Sequence, residues 1–152
     1  MIRRLLHVVT RVLARVWALP MTALGALLVP VAWVTGGRIA VVDGVLEVHG
    51  GWVTGFLRRW PPFTAGAAAM ALGHVVLAMS ARDMEECRAH ERVHVRQCER
   101  WGIFFLPAYL GASLWAWMRG RDPYRDNPFE REAFLRSRHG TGGERLAVPR
   151  GQ

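Results

Sequence analysis

The stretch Asp83-Met84-Glu85-Glu86-Cys87-Arg88-Ala89-His90-Glu91-Arg92-Val93-His94-Val95-Arg96-Gln97-Cys98-Glu99-Arg100 decides how this chain is read. Asp83 and Glu86 have capping-box spacing and Gly102 is a stop signal, so the stretch predicts one helix over residues 83–100. Residues four apart lie one turn up the same helix face. His90 and His94 therefore aim their imidazole nitrogens at one point, where a zinc ion would lie ~2.0–2.1 Å from each. Glu91 is offset around the helix and reaches a water at that point rather than the metal itself. The pattern His90-Glu91-x-x-His94 predicts two metal ligands and a general base.

Cys87 and Cys98 share this helix. At a rise of ~1.5 Å per residue their Cα atoms stand ~16 Å apart, beyond the ~7 Å reach of a disulfide. One zinc cannot take both, and each reads as a free thiol that packs as a small hydrophobe.

A catalytic zinc needs a third protein ligand and an open position. Downstream candidates are Glu99, Asp122, Asp126, Glu130, Glu132 and His139. Glu99 points away from the His90/His94 face, and it stands where a third histidine following the motif on the same stretch would be expected. Asn127-Pro128 opens a last helix, with an Asn cap and Pro at the first helical position. Glu130 and Glu132 on that helix are the acidic candidates. Glu130 also sits where a capping-box glutamate would satisfy the Asn127 amide.

Outward from the motif, the chain alternates apolar and polar stretches. Four arginines, Arg3, Arg4, Arg11 and Arg15, precede an uncharged run from Val16 to Gly37. That run is long enough to cross a hydrocarbon core of ~30 Å, with Trp17 and Trp33 near its ends and Pro20 and Pro30 inside it. The arginines place the N-terminus on the cytoplasmic side, and the expected location is a bacterial cytoplasmic membrane. A proline-broken hairpin and a buried core helix are the alternatives. Ile39–Val42 and Val45–Val48, joined at Asp43-Gly44, predict a β-hairpin. The next uncharged stretch, Trp60 to Ala81, reads as an Ala-rich turn or short helix followed by a strand over His74–Met79. Trp101 to Met118 reads as a spacer helix packed on the motif helix, although it is marginally long enough for a span. Residues 139–152 are expected to be a disordered tail.

The formal charge is +8, and every basic residue is Arg. No nucleic-acid recognition motif and no Arg–aromatic stripe accompany it. The charge fits a solvated or anionic membrane surface, not nucleic acid.

The residues His90-Glu91-x-x-His94, Gln97, and Glu130-Arg131-Glu132-Ala133 after a spacer helix resemble the gluzincin branch of zinc metallopeptidases. The likeness extends to its membrane-bound peptidases and to the small minigluzincin proteins, and Tyr124–Glu130 resembles small bacterial proteins of this minimal type. The resemblance covers roughly Thr64 to Arg138. It implies Glu130 as third ligand, Ala133 as the small residue one turn on, and the Thr64–Met79 stretch as an edge strand that pairs with an extended peptide. Phe134 departs from the pattern, because an aspartate that supports a ligand histidine usually stands there. Asp122 or Asp126 is a substitute, Gln97 is a cleft residue, and Tyr124, Tyr109 and His139 are candidate transition-state stabilisers. The expectation is an α+β chain. It comprises an N-terminal membrane-associated segment over 1–37 and a minimal zincin-like domain over 38–138, built of short β elements, a motif helix, a spacer helix and a third-ligand helix. It would hydrolyse peptide or protein substrates with Zn2+ held by His90, His94 and Glu130 and with Glu91 as base. The alternative is a non-catalytic membrane-associated protein with a structural metal site.

Overall fold

The computed structural model describes residues 2–59 and 67–140. Its architecture is mixed α+β. Two N-terminal helices, α1 (Ile2–Trp17) and α2 (Leu19–Val34), lead into the hairpin β1 (Arg38–Val42) and β2 (Val45–His49). Helix α3 (Trp52–Arg59) precedes a second hairpin, β3 (Ala69–Leu72) and β4 (Val75–Ala78). The motif helix α4 (Ala81–Trp101) then runs through a short 3-10 turn, Gly102–Phe104, into α5 (Phe105–Met118), and α6 (Pro128–Gly140) closes the described chain.

The hairpin signalled at Asp43-Gly44 forms through turn chemistry. Asp43 and Gly44 both take positive φ, 50° and 78°, as a two-residue turn matched to strand twist requires. The four strands lie in the order β1-β2-β4-β3, with β2 and β4 parallel and both outer pairs antiparallel. β3 is therefore an edge strand. The expected Ala-rich turn or short helix before His74 is in part this strand, since pairing Ala69 with Ala78 and Leu72 with Val75 outweighs the helical preference of alanine. Thr64, the start of the resembling stretch, lies outside the described residues.

Strand alternation splits the sheet into two packed faces. Val48, Val75 and Leu77 meet Ala32 of α2 and Val53 and Leu57 of α3. Val45, Ala71, Val76 and Ala78 meet Met84 and Val95 of α4. β4 is buried on both faces, so its sequence is apolar throughout. Glu47 also faces α4, where Arg88 grips it with two parallel bonds of 3.0 Å and Arg92 adds a third of 3.0 Å.

The expected boundary at residue 37 is not a break in packing. Helix α2 buries Met21, Gly25 and Ala32 and supplies one side of the core. At Gly25 a Cβ would stand 2.7 Å from the Val75 Cβ and 2.9 Å from the Leu72 carbonyl, so only glycine lets the helix sit this close to the β3–β4 hairpin. The opposite side of α2 is exposed at Leu24, Leu27, Val31 and Trp33. One helical run, Ala81–Met118, is long and apolar enough to cross a membrane, and Val8–Trp17 with Leu19–Val34 passes the same test together across a bend of 61°.

Gly25→Val should cost about 1–3 kcal/mol by overpacking and lower the denaturation midpoint. Gly111→Ala, where a Cβ meets nothing within 4 Å, should leave stability level or slightly raised. Chemical denaturation followed by circular dichroism measures both.

Candidate metal centre

Helix α4 begins one turn before the expected Asp83 cap. The cap is Ser80, whose Oγ accepts from the Asp83 amide at 3.2 Å. Gly102 stops the helix with φ 57°, as expected from its residue type. Helix α6 is capped as the sequence predicts, with Asn127 Oδ1 accepting from the Phe129 amide at 2.9 Å. The Asn127 amide nitrogen turns back to donate to the Tyr109 carbonyl at 3.1 Å and Ser113 Oγ at 2.8 Å. One fully buried side chain thus both starts α6 and ties it to α5. Ala133 is also completely buried.

Across the α4–α6 contact, ligand atoms of His90, His94 and Glu130 lie within 4.8 Å of one another, and this group can hold a metal ion. The two Nε2 atoms are 3.1 Å apart. His90 Nε2 is 3.0 Å from Glu130 Oε2, and His94 Nε2 is 3.3 Å from Glu130 Oε1. Glu130 is not a cap. Its carboxylate is buried between the two imidazoles, and it accepts a 2.6 Å bond from the Tyr109 hydroxyl.

Hydrogen bonding fixes the tautomer of His94. Gln97 donates from Nε2 to the Phe129 carbonyl and to Glu132 Oε2, both at 3.0 Å, which leaves its Oε1 as an acceptor. His94 Nδ1 therefore donates to Gln97 Oε1 at 2.8 Å, and its Nε2 faces Glu130 and His90. Gln97 is completely buried. An acceptor on the far nitrogen is the usual support of a metal-binding imidazole. From sequence alone Gln97 is a cleft residue, and Asp122 or Asp126 is the expected support. Both aspartates instead shape the loop before α6, accepting from the amides of Tyr124, Arg125 and Asp122. Phe134, where the supporting aspartate would stand, packs its ring 4.7 Å from that of His90.

Glu91 is buried beside this cluster. Its Oε2 has no partner among the described residues, and the backbone amide of Ala71 on edge strand β3 acts to lower its pKa. Burial raises the Glu91 pKa, the two imidazoles oppose the shift and Glu130 adds to it. Burial likewise acts to raise Glu130, but the hydrogen bonds of both histidines outweigh it and hold that carboxyl far below the usual range. For His94 burial acts downward, yet the bond to Glu130 and the charge of Glu91 win and raise it to about 9. The donor set, two imidazole nitrogens and one carboxylate oxygen with an unpaired carboxylate oxygen next to them, fits a divalent transition metal with nitrogen and oxygen ligands.

The other sequence candidates fall outside the cluster. Glu132 points to the rim, paired with Arg100 at 3.1 Å and Arg136 at 2.9 Å. Residues two apart cannot share a helix face, so Glu130 and Glu132 exclude one another as ligands. Glu99 binds His74 at 3.1 Å. Tyr124 is half-buried with its ring 5.9 Å from Phe134, and burial together with the charges of Glu130 and Glu91 raises its pKa, so it remains a phenol that can donate. The same forces, burial first and then Glu130, keep Tyr109 protonated. Cys87 and Cys98 are free, and burial pushes each thiol up to about 12. The side chain of His139 and all of 141–152 lie outside the described residues. Comparison with known protein families, with curated proteins and with solved structures returns no match for this chain.

Gln97→Leu should weaken metal binding by about 10–100-fold, the usual effect of losing such support, while Glu132→Gln should change it little. Metal must also displace the second proton of His94, so apparent affinity should rise with pH up to about 9. In the metal-free chain the sign reverses: stabilisation from the raised His94 is full below 6.5 and lost as pH climbs through about 9. Competition with a chromophoric chelator, and thermal denaturation across pH, read these effects.

Proposed function

We propose that the chain is a zinc-dependent metallopeptidase of minimal zincin-like form that works at a membrane. The observation that carries this reading is Glu91. Burying a carboxylate oxygen without a partner is costly, and a purely structural metal site has no use for one beside its ligands. A general base has that use.

His90, His94 and Glu130 would hold the metal, and the imidazole and carboxylate donors suit zinc. Bound there, zinc supplies a Lewis acid that brings the pKa of water towards ~7. Glu91 takes the proton of the attacking water on its free Oε2, and its raised pKa lets it keep that proton. It then passes the proton to the departing amine of the cleaved peptide, which leaves Glu91 ionised again. Edge strand β3 has one open side and offers main-chain pairing to an extended peptide. Tyr124, kept as a phenol, is the candidate donor to the carbonyl oxygen where charge develops.

Protein purified without chelator should contain about one zinc per chain, and His90→Ala should abolish it. Glu91→Gln should keep metal near the parent level and lower hydrolysis of a quenched peptide library by on the order of 10²-fold or more. Glu130→Gln should weaken the metal itself. No transition metal in the parent overturns the metal reading. An active preparation indifferent to Glu91→Gln overturns the mechanism, and a metal-loaded chain that cleaves nothing points to the structural alternative.

A further inference from the structure

Helix α1 turns the ordinary arrangement of an amphipathic helix around. On a helical projection Leu6, Val8, Val9, Val12, Leu13 and Val16 share one side, and Arg4, Arg11 and Arg15 gather at and beyond its border. A surface helix of a globular protein puts its apolar side on the core. Here Ala14, partly buried, and Ala18, fully buried, anchor this stretch to the rest of the chain, and both project from the arginine side. Arg15 reaches the β1–β2 turn, its Nη2 lying 3.2 Å from where a Cβ on Gly44 would stand. The apolar side faces away from the protein, with Val8 58%, Val12 52%, Leu13 62% and Val16 55% exposed.

This side continues beyond α1. Trp17, itself half exposed, contacts Phe104 with ring centroids 6.3 Å apart, and Ile103 and Phe104 of the 3-10 turn are exposed beside it. Helix α5 also exposes Trp115 and Trp117, and Arg119 stacks over the Trp115 ring at 4.2 Å. Paired tryptophan and arginine suit the headgroup level of a bilayer. α1 contains no acidic residue, and the chain carries a formal charge of +8. A second copy seated on this side would bring its own arginines against these, whereas phosphate headgroups neutralise them.

We infer that α1 lies in the plane of an anionic phospholipid surface. Its valine side enters the acyl boundary and Arg4 and Arg11 sit among the phosphates. The chain is then held on one leaflet, and the bent α1–α2 pair does not thread through it. Helix α2 agrees with this, since Met21, Gly25 and Ala32 keep one of its sides on the sheet. The inference rests on the proposed membrane association and specifies the element and the lipid.

The test is co-sedimentation of the full-length chain with vesicles of phosphatidylcholine, and with vesicles of equal parts phosphatidylcholine and phosphatidylglycerol. Binding to the anionic vesicles should be tighter by at least about tenfold, and Arg4→Glu with Arg11→Glu should remove that preference. Val12→Glu with Leu13→Glu should lower binding to both by on the order of 10²-fold, while metal content stays unchanged as a check on folding. Arg4→Cys and Arg38→Cys should be labelled by an impermeant maleimide from the same side of the membrane. Full binding by the Val12/Leu13 variant, or labelling from opposite sides, overturns docking by α1 and leaves membrane association to α2 or α5. A parent chain that binds neither vesicle overturns membrane association as well. A dimer in light scattering that Val12→Glu with Leu13→Glu converts to monomer assigns the face to a second copy.

Discussion

Two carboxylates and two imidazoles are buried together where α4 meets α6, and the rest of the molecule is arranged around that constraint. Glu130 and Glu91 are both buried, and like charges this close in a low-dielectric interior raise one another's cost of ionisation. The cluster separates them by environment. Glu130 is surrounded by donors, the two histidines and Tyr109, and stays ionised. Glu91 has one amide and an empty oxygen, and its pKa rises. A divalent cation among His90, His94 and Glu130 would supply the positive charge that the cluster otherwise takes from a proton on His94.

Helix α4 meets this constraint by giving each of its sides a separate task. His90, His94 and Gln97 face α6. Arg88 and Arg92 face β2 and neutralise Glu47, whose carboxylate is buried at the sheet surface. Met84 and Val95 pack on the sheet. A buried carboxylate with a bidentate arginine tolerates little sliding, so the Glu47 contact sets the register of α4 on the sheet. That register brings Glu91 to Ala71 on the edge strand. A polar contact remote from the candidate metal ligands therefore aligns Glu91, the proposed base, with edge strand β3.

The other side of the sheet is apolar, and it joins the site to the outward face of the molecule. Helix α2 packs against β3 and β4 through Gly25 and leaves its remaining side exposed, as α1 and α5 do. The strand that would receive a peptide is thus one layer from the surface proposed to meet lipid. His74 reinforces this layer, since its amide donates to Thr22 of α2 at 3.0 Å and its ring reaches Glu99 of α4 at 3.1 Å.

By itself the sequence determined what depends on neighbours a few residues apart. The pairing of His90 with His94 follows from helix period, the Asp43-Gly44 hairpin from the cost of positive φ, the start of α6 from Asn127-Pro128, and the end of α4 from Gly102. Local rules alone misplaced the α4 cap by one turn and read β3 as turn or helix, because an alanine-rich segment becomes a strand only when β4 lies beside it. Tertiary structure decided the rest. Local rules leave Glu130 and Glu132 both open, with only the resemblance favouring Glu130, and the facing side of α4 makes that one a metal ligand candidate and the other a partner of Arg100 and Arg136. Gln97 reads as a polar helix residue until α6 supplies the Phe129 carbonyl and Glu132 carboxylate that orient its amide towards His94. Helix α2 reads as a separable anchor until the sheet buries Gly25. In each case the deciding partner is far away in sequence, and residue type and periodicity carry no information about which distant group folding will place alongside.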